Sequence, residues 1–375
     1  MQGITLMVHI FFLGYVLSII INPEFDKLGI IIYGCIGLLI RLKNYNIIYF
    51  FDILLLWIMY LIYSLLFIYD YSLLLYICLF ILQYGLMYYI YANLIKNDKN
   101  FSKWSIQIIV YQVIIVIIGI IDLVLYKFGY LSILHDYHNW RIDSLYTNPN
   151  AFGIMSALIF LLLFYMNSNL HNLKFYKNLF LFVLFIGILI SGSRMSLLLL
   201  FVGIFFKYVS IKSLMYLISS LGITLIFLLF FLDLEIVYEI FNKRIEIWTA
   251  AIEIFKDNSL VGIGTGMFQK TAEVHIEDTI KENIWGLHSM YLWLIIETGI
   301  VGMVIYVIFI IRVLQININS EGYRKILLLI LLSQTTEFFL DHVEYFQLFF
   351  YFIIAIIAKE YYIKERNKYE KNFIS

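Results

Sequence analysis

The sequence predicts an all-α fold, that of a polytopic membrane protein with twelve transmembrane helices. Of its 375 residues, 63% are hydrophobic and 14% are charged, whereas soluble domains average about 45–50% apolar and about 25% charged residues. A compact water-soluble core cannot bury so much apolar surface, so the excess must face the lipid bilayer. The composition therefore excludes a soluble enzyme, a disordered chain and a basic nucleic-acid-binding domain, and no nucleic acid is expected as a partner.

The second observation is a series of long apolar stretches. A helix that crosses the bilayer needs about 20 apolar residues, and a shorter stretch has to thin the bilayer locally, as we expect at 28–40. We expect one integral membrane domain, residues 1–375. In chain order the predicted spans are 4–21, 28–40, 46–68, 71–95, 104–126, 150–166, 175–191, 195–210, 212–232, 287–314, 325–340 and 343–362.

The third observation is the distribution of Lys and Arg, which are enriched in cytoplasmic loops. With twelve spans both termini lie on one side, and that side holds 17 of the 26 basic residues. The opposite side has four in short segments and five in one long loop. This asymmetry predicts cytoplasmic termini for a multi-pass protein of the cytoplasmic (inner or plasma) membrane.

Two segments on the predicted outer side are large, 127–149 and 233–286. The second lies between spans 9 and 10 and contains ten acidic residues. It is predicted to be partly helical and to lie on the outer membrane surface or cap the bundle. The evidence is a set of apolar residues at helical intervals of 4, 3, 4 and 3, namely Phe241, Ile245, Trp248, Ile252 and Phe255.

Arg194 lies in a short turn between two apolar spans, directly after Ser193. One interpretation is an arginine that anchors the span by reaching to the interface. The other is an anion-binding arginine at a helix start, assisted by Ser193 and backbone N–H groups. We favour the second, because an arginine on the outer side runs against the charge bias.

Arg244 lies on the predicted outer helix, one turn before Trp248. It is either a solvated charge paired with Glu246 or Asp257, or a guanidinium fork that faces the membrane surface with Trp248 at headgroup depth.

His288 opens the tenth predicted span, and Glu297 follows nine residues later. His288 is either an interfacial cap or a proton acceptor, since an unperturbed histidine has a pKa of about 6.5. Nine residues place Glu297 on the opposite helix face from His288. We expect Glu297 to be a buried polar link to another span, because a carboxylate inside the membrane is functional by default.

Asn148 and Asn150 flank Pro149 at the start of the sixth predicted span. Asn148 suits the N-cap and Pro149 the first helical position. The motif either caps the helix only or also orients Arg141 upstream. No zinc pattern is recognisable near His135 and His138, and no metal or cofactor is expected.

Four stretches together resemble the O-antigen ligase and polymerase superfamily of bacterial polysaccharide assembly. They cover roughly residues 141–302, and their order and common placement at the outer face carry the resemblance. The stretches are Thr147-Asn148-Pro149-Asn150 with Phe152-Gly153; Ser191-Gly192-Ser193-Arg194; Arg244-Ile245-Glu246-Ile247-Trp248 followed by 262–268; and His288-Ser289-Met290-Tyr291-Leu292 through Glu297-Thr298-Gly299 to Gly302.

The resemblance implies a metal-independent, inverting glycosyltransferase with a GT-C-like fold. Its substrate would be an oligosaccharide on undecaprenyl diphosphate, with a flippase and a chain-length regulator as candidate partners. His288, Arg194 and Arg244 would be catalytic, with His288 as the base and the arginines on the diphosphate. The substrate-binding residues would be Arg141, Asn148, Asn150, Ser193, Trp248 and Glu297.

Two activities share this donor and mechanism. A polymerase moves the growing chain onto the next lipid-linked repeat unit to make O-antigen, capsule or exopolysaccharide, and a ligase moves the glycan to lipid A–core or another acceptor. We favour the polymerase, because the AT-rich composition mildly suggests an organism without lipid A. A multispan transporter or flippase, and a non-catalytic scaffold, are the alternatives from other classes.

Overall fold

The protein is described by a computed structural model over residues 10, 28–43, 81–92, 98–128, 141–146, 148–166, 176–208, 213, 244–264, 267–272, 289–315, 321–335 and 344–374. Every regular element in these ranges is helical, which confirms the all-α class for the described part of the chain.

The described part contains eleven α-helical segments and one short 3₁₀ turn, Ser144–Tyr146. In chain order they are α1 (Leu28–Lys43), α2 (the helical residues 81–92), α3 (Asp98–Lys127), α4 (Pro149–Tyr165), α5 (Lys177–Ser191), α6 (Arg194–Phe206), α7 (Arg244–Asp257), α8 (Phe268–Ala272), α9 (Met290–Gln315), α10 (Glu321–Ser333) and α11 (Glu344–Ile374).

Most predicted spans coincide, at least in part, with one of these helices. The predicted spans 4–21, 46–68 and 212–232 lie outside the described residues, apart from Ile10 and Ser213. Within the described residues, Lys103–Lys127 of α3 and the whole of α9 are long and apolar enough to cross a membrane, and α4, α5 and α6 are shorter apolar helices. The structure is consistent with a membrane protein, and the total of twelve spans stays a prediction.

Helix α4 lies at the centre of the described bundle. It packs against α3, α5, α6 and α10, and most of its residues are buried. Gly153 on α4 lies against Ser191 and Ser196, while Leu161 lies against Gly203, so α5 runs antiparallel to α4 and α6 runs parallel to it.

Helix α10 begins beside the last turn of α4, where Gly322 lies against Tyr165. It also packs on α6, which runs parallel to α4. The start of α4 marks the opposite end of the bundle. We call that end, which carries Asn148 and the 191–194 turn, the site end. The opposite end, with Tyr165, Lys177 and Gly322, is the far end.

The amphipathic helix predicted in the 233–286 segment is present as α7. Not every residue of the predicted apolar period lies on the face that is buried in the protein, and Ile252 is 51% exposed. The buried face packs on α9 and repeats at helical spacing through Ile247, Ala250, Ala251 and Ile254. Two alanines allow a closer approach to α9 than the larger side chains at 248, 252 and 255 would permit, which explains the offset of about one residue from the apolar period.

Candidate functional site

The residues before α4 enter the bundle, which corrects the expectation that all of 127–149 is an external segment. Ile142, Ser144, Leu145 and Tyr146 are buried. The Ser144 hydroxyl donates to the carbonyl of Ile115 at 2.7 Å, and the Tyr146 hydroxyl donates to Oε1 of Gln112 at 2.6 Å. These bonds run down one side of α3, so the segment descends along that helix.

This descent sets the depth of the site. Ser144 and Ile142 lie against Gly119, where a Cβ atom would come within 3.0 Å of Ser144. Gly119 precedes the end of α3 at Lys127 by two turns of helix, which is about 12 Å at 1.5 Å per residue. The site therefore lies below the end of α3.

Arg141 joins three elements at the site end. Its Nε donates to the carbonyl of Ser191 at 3.1 Å, and its Nη2 donates to Oδ1 of Asn150. The backbone N–H of the next residue, Ile142, donates to the carbonyl of Ile190 at 3.1 Å. These bonds hold the guanidinium between the start of α4 and the end of α5.

The two asparagines of the Asn-Pro-Asn motif have different roles. Asn148 is the N-cap of α4, and its side chain accepts from the N–H groups of Asn150 at 2.8 Å and Ala151 at 3.4 Å. Pro149 occupies the first helical position, so the predicted cap is confirmed. Asn150 contacts Arg141, and the motif therefore both caps the helix and orients an arginine.

The 191–194 turn is a compact serine turn between α5 and α6. Gly192 adopts a left-handed conformation with φ of 60°. The Ser191 hydroxyl accepts from the N–H of Ser193 at 3.2 Å, and Ser193 caps α6 by accepting from the N–H of Ser196 at 3.3 Å. Arg194 follows as the first, exposed residue of α6. The predicted helix start at Arg194 is confirmed, with a capping role for Ser193.

Gly153 allows the Asn-Pro-Asn motif and the 191–194 turn to lie against each other. A Cβ atom on Gly153 would come within 2.3 Å of the Ser191 Oγ and 2.9 Å of the Ser196 Oγ. A glycine is therefore needed for α4 to approach the serine turn. This contact brings Arg141, Asn150 and Arg194 to the same end of the bundle.

Glu297 is 1% exposed and contacts the 233–286 segment. Its Oε1 accepts from the backbone N–H of Phe268, the first residue of α8, at 3.1 Å. The carboxylate therefore binds this segment, and the expected link to a neighbouring span stays a prediction.

That segment reaches Glu297 because α9 is interrupted, whereas the sequence predicted one continuous span at 287–314. Gly299 has φ of 67° and ψ of −173°, which no helix contains. The carbonyls of Ile296 and Glu297 accept from the N–H groups of Ile263 and Gly264 at 3.1 and 2.9 Å. Directly after Gly299, the N–H of Ile300 donates to the carbonyl of Ser259 at 2.9 Å.

Two glycines make this pairing possible. A Cβ atom on Gly299 would come within 2.3 Å of the Leu260 carbonyl oxygen, and one on Gly262 within 2.4 Å of the Glu297 carbonyl oxygen. Both glycines have positive φ. Sequence reasoning missed this contact, although a glycine inside an apolar span, with spaced glycines upstream, was a signal for it.

The start of α9 is attached to the end of α10. The N–H of Met290 donates to the carbonyl of Gln334 at 3.0 Å, and the Tyr291 hydroxyl donates to the carbonyl of Leu331 at 2.8 Å. Leu331 lies in the last turn of α10, and Gln334 directly follows that helix. His288 lies outside the described residues, and buried Ser289 is the first described residue after it.

The remaining predicted residues lie on α7. Arg244 is its first residue, and its side chain is outside the described part of the structure. Trp248 is half-buried on the flank of the face that packs on α9. His135 and His138 also lie outside the described residues. Within the described ranges, no three His, Cys, Asp or Glu side chains cluster as a metal site would require.

In a comparison with known families, residues 179–307 match a family model described as O-antigen ligase. No curated protein matches the chain. The matched segment contains the 191–194 turn, α7 and the pairing of 259–264 with α9, and it begins after the Asn-Pro-Asn motif.

The family match supports a glycosyl-transfer enzyme of the ligase or polymerase type, acting on a polyisoprenyl-linked glycan in a membrane. It does not separate the ligase from the polymerase. The resemblance of this protein to the O-antigen ligase and polymerase superfamily is confirmed for residues 179–307.

Proposed function

We propose that the protein polymerises oligosaccharide repeat units carried on undecaprenyl diphosphate into a surface polysaccharide, at the outer face of the cytoplasmic membrane. The observation that carries the proposal is the attachment of Arg141 to Asn150 and to the serine turn that presents Arg194. A fixed guanidinium beside a second arginine at a helix start suits an anionic diphosphate.

The charge of this region supports the same assignment. No Asp or Glu occurs from residue 144 to residue 232, so the chain that forms α4, the serine turn and α6 carries basic residues alone. Asp143 lies two residues after Arg141, and the two arginines of the site outnumber it. An excess of positive charge raises the local concentration of anions. The diphosphate would sit at the N-terminus of α6, with Arg141 and Arg194 on its oxygens and Arg244 reaching from α7.

The reaction would transfer the growing glycan between two lipid carriers. A hydroxyl of the acceptor repeat unit attacks the anomeric carbon of the donor glycan, and the bond from that carbon to the diphosphate oxygen breaks. Undecaprenyl diphosphate leaves with the bonding electron pair, and His288 takes the hydroxyl proton. Fixed guanidinium groups stabilise the charge on the leaving group, and the base contributes about 10²–10⁴ in rate.

The 233–286 segment would hold the sugars. Its α7 packs on α9, and residues 259–264 are hydrogen-bonded to α9 at the break, so the segment is fixed to the helix that begins just after His288. A rigid support for a substrate-binding segment lowers the cost of orienting the acceptor over the base.

A reconstitution tests the proposal directly. Purified protein in vesicles, supplied with lipid-linked repeat units, should give a ladder of longer glycans and release undecaprenyl diphosphate. A second arm adds lipid A–core as acceptor, and transfer to it without a ladder would identify a ligase. Movement of the lipid-linked units across the bilayer without a ladder would identify a transporter. His171→Ala, a histidine on the predicted cytoplasmic side, is the matched control for His288→Ala.

A further inference from the structure

The far end of the bundle holds two lysines that the proposed reaction does not use. Lys177 begins α5, and its Nζ donates to the carbonyl of Met166, the C-cap of α4, at 3.1 Å. Lys207 caps the end of α6, and its Nζ lies 4.0 Å from the centroid of the Phe164 ring. Both ammonium groups are therefore held beside the last turn of the same central helix.

This pair has no carboxylate to balance it within the described residues. The charged neighbour of Lys177 is Lys207, which repels it. The chain from 144 to 232 supplies no acidic residue, and the connections on either side add Lys174 and Lys212. The half-buried ammonium group of Lys177 and the exposed one of Lys207 repel each other, and an anion bound between them would relieve this repulsion.

Neighbouring helices bring other charged groups to this end without neutralising the pair. Helix α10 contributes Arg324, whose Nε is buried and has no hydrogen-bond partner among the described residues. Helix α11 contributes Glu360, which has interaction partners of its own, and α10 begins with Glu321. Lys177, Lys207, Arg324 and Lys325 outnumber these two glutamates, so the local charge is positive.

The surroundings of the pair favour a lipid over a soluble anion. Tyr176 and Tyr208, each adjacent in sequence to one of the lysines, are 49% and 77% exposed, as expected for aromatic side chains at headgroup depth. Toward the middle of the bundle the exposed side chains become apolar, with Phe182 on α5 and Phe201 on α6. A headgroup phosphate at the lysines would leave its acyl chains along these two helices.

We propose that Lys177 and Lys207 bind the phosphate of an anionic phospholipid, in the leaflet opposite to the Arg141 site. With the predicted orientation this is the cytoplasmic leaflet, whose surface is negatively charged. The site is separate from the proposed reaction and does not depend on it.

The test uses the full-length protein in nanodiscs of phosphatidylcholine with or without phosphatidylglycerol, and native mass spectrometry counts the retained lipids. Wild type should retain phosphatidylglycerol preferentially and unfold at a higher temperature in its presence. Lys207→Gln, which leaves the bond from Lys177 to Met166 intact, should weaken retention about five-fold, the factor for about 1 kcal/mol per basic residue. The double variant with Lys177→Gln should lose the preference.

Controls separate the sources of the phosphate and keep the result interpretable. Lys127→Gln removes an exposed lysine at the C-terminal end of α3, away from the lysine pair. It should leave the preference for phosphatidylglycerol unchanged. Inorganic phosphate or glycerol phosphate, added to discs of phosphatidylcholine alone, should not reproduce the thermal shift. Equal stabilisation by these soluble anions, or an unchanged phosphatidylglycerol preference in Lys207→Gln, would overturn the proposal.

Discussion

The buried carboxylate of Glu297 accepts a hydrogen bond from the backbone N–H of Phe268 at 3.1 Å. The two residues belong to different parts of the predicted topology, since Glu297 lies in a span and Phe268 in the outer segment. The contact fixes the start of α8 on α9, close to the break at Gly299.

Replacement of Glu297 tests whether this contact positions the outer segment. Glu297→Gln keeps an acceptor for the Phe268 N–H, and we expect it to retain most of the activity and stability. Glu297→Leu leaves that N–H buried without a partner, which costs about 1–3 kcal/mol. Thermal unfolding in detergent measures the loss, and equal midpoints for the Leu variant and wild type would contradict the positioning role.

Replacement of Gly299 tests the interrupted helix. Gly299→Ala puts a Cβ atom 2.3 Å from the Leu260 carbonyl oxygen and forces a side chain into a positive φ, so we expect a loss of stability larger than the about 1 kcal/mol typical of point mutations. Gly322→Ala is the matched control, since its Cβ would meet Tyr165 at an ordinary 3.4 Å. Similar unfolding midpoints for the two variants would argue against the break.

The two asparagines of the 148–150 motif should separate stability from activity. Asn148→Ala removes the cap of α4, which costs about 1 kcal/mol, and it should lower the unfolding midpoint with a smaller effect on polymer. Asn150→Ala releases the Arg141 guanidinium and should lower the rate of polymerisation at nearly unchanged stability. The opposite pattern, with Asn150→Ala unstable and active, would assign Arg141 a structural role.

Replacement of Arg194 and Arg244 tests whether they act through both their charge and the paired N–H donors of the guanidinium group. We expect Arg194→Ala and Arg244→Ala to abolish polymer while the protein stays in the membrane. Lysine at either position keeps the charge but loses the paired donors, so it should recover part of the activity. Arg312→Ala, an exposed arginine in the last turn of α9, is the control. Full polymer from both alanine variants would remove the arginines from the mechanism.

The base prediction concerns His288. Without a proton acceptor, His288→Ala should accumulate lipid-linked single repeats, and His288→Gln should do little better, because an amide hydrogen-bonds without taking a proton at neutral pH. The rate of ladder formation with purified protein measures this, with an excess of EDTA in a parallel arm. A near-wild-type rate for His288→Gln would redirect attention to His342 or Asp341, which lie in the predicted outer turn between the last two spans. A loss in EDTA restored by Mg²⁺ would contradict a metal-free mechanism.

Local signals in the sequence were sufficient for several elements. Asn148 and Pro149 mark the start of α4 through capping chemistry, and Ser193 marks the start of α6, because these effects depend on neighbours within a few residues. The existence of α7 followed from its apolar period, but the face buried in the protein lies at 247, 250, 251 and 254, and Ile252 of that period is exposed. Which face of α7 is buried depends on the helix that packs against it, and the apolar period in the sequence does not identify that helix.

Contacts between distant segments were beyond the sequence. The Arg141 side chain donates to a backbone carbonyl, that of Ser191, and 259–264 pairs with α9 through backbone groups on both sides; backbone partners carry no side-chain signature. The buried depth of 141–146 was hidden for a similar reason, since its Ser144 and Tyr146 look like polar loop residues. The resemblance to a family grouped these motifs correctly without indicating how they touch.

The break in α9 also has a consequence for biogenesis. A helix that enters the bilayer alone satisfies its own backbone, but around Gly299 two carbonyls and two N–H groups of α9 pair with residues 259–264. Each such group left unpaired in hydrocarbon costs several kcal/mol. The partners are translated about 40 residues earlier, so they are available when α9 emerges, and this order of synthesis lets an interrupted span be inserted. A substitution at Gly262 should therefore appear first as a failure of α9 to integrate into the membrane.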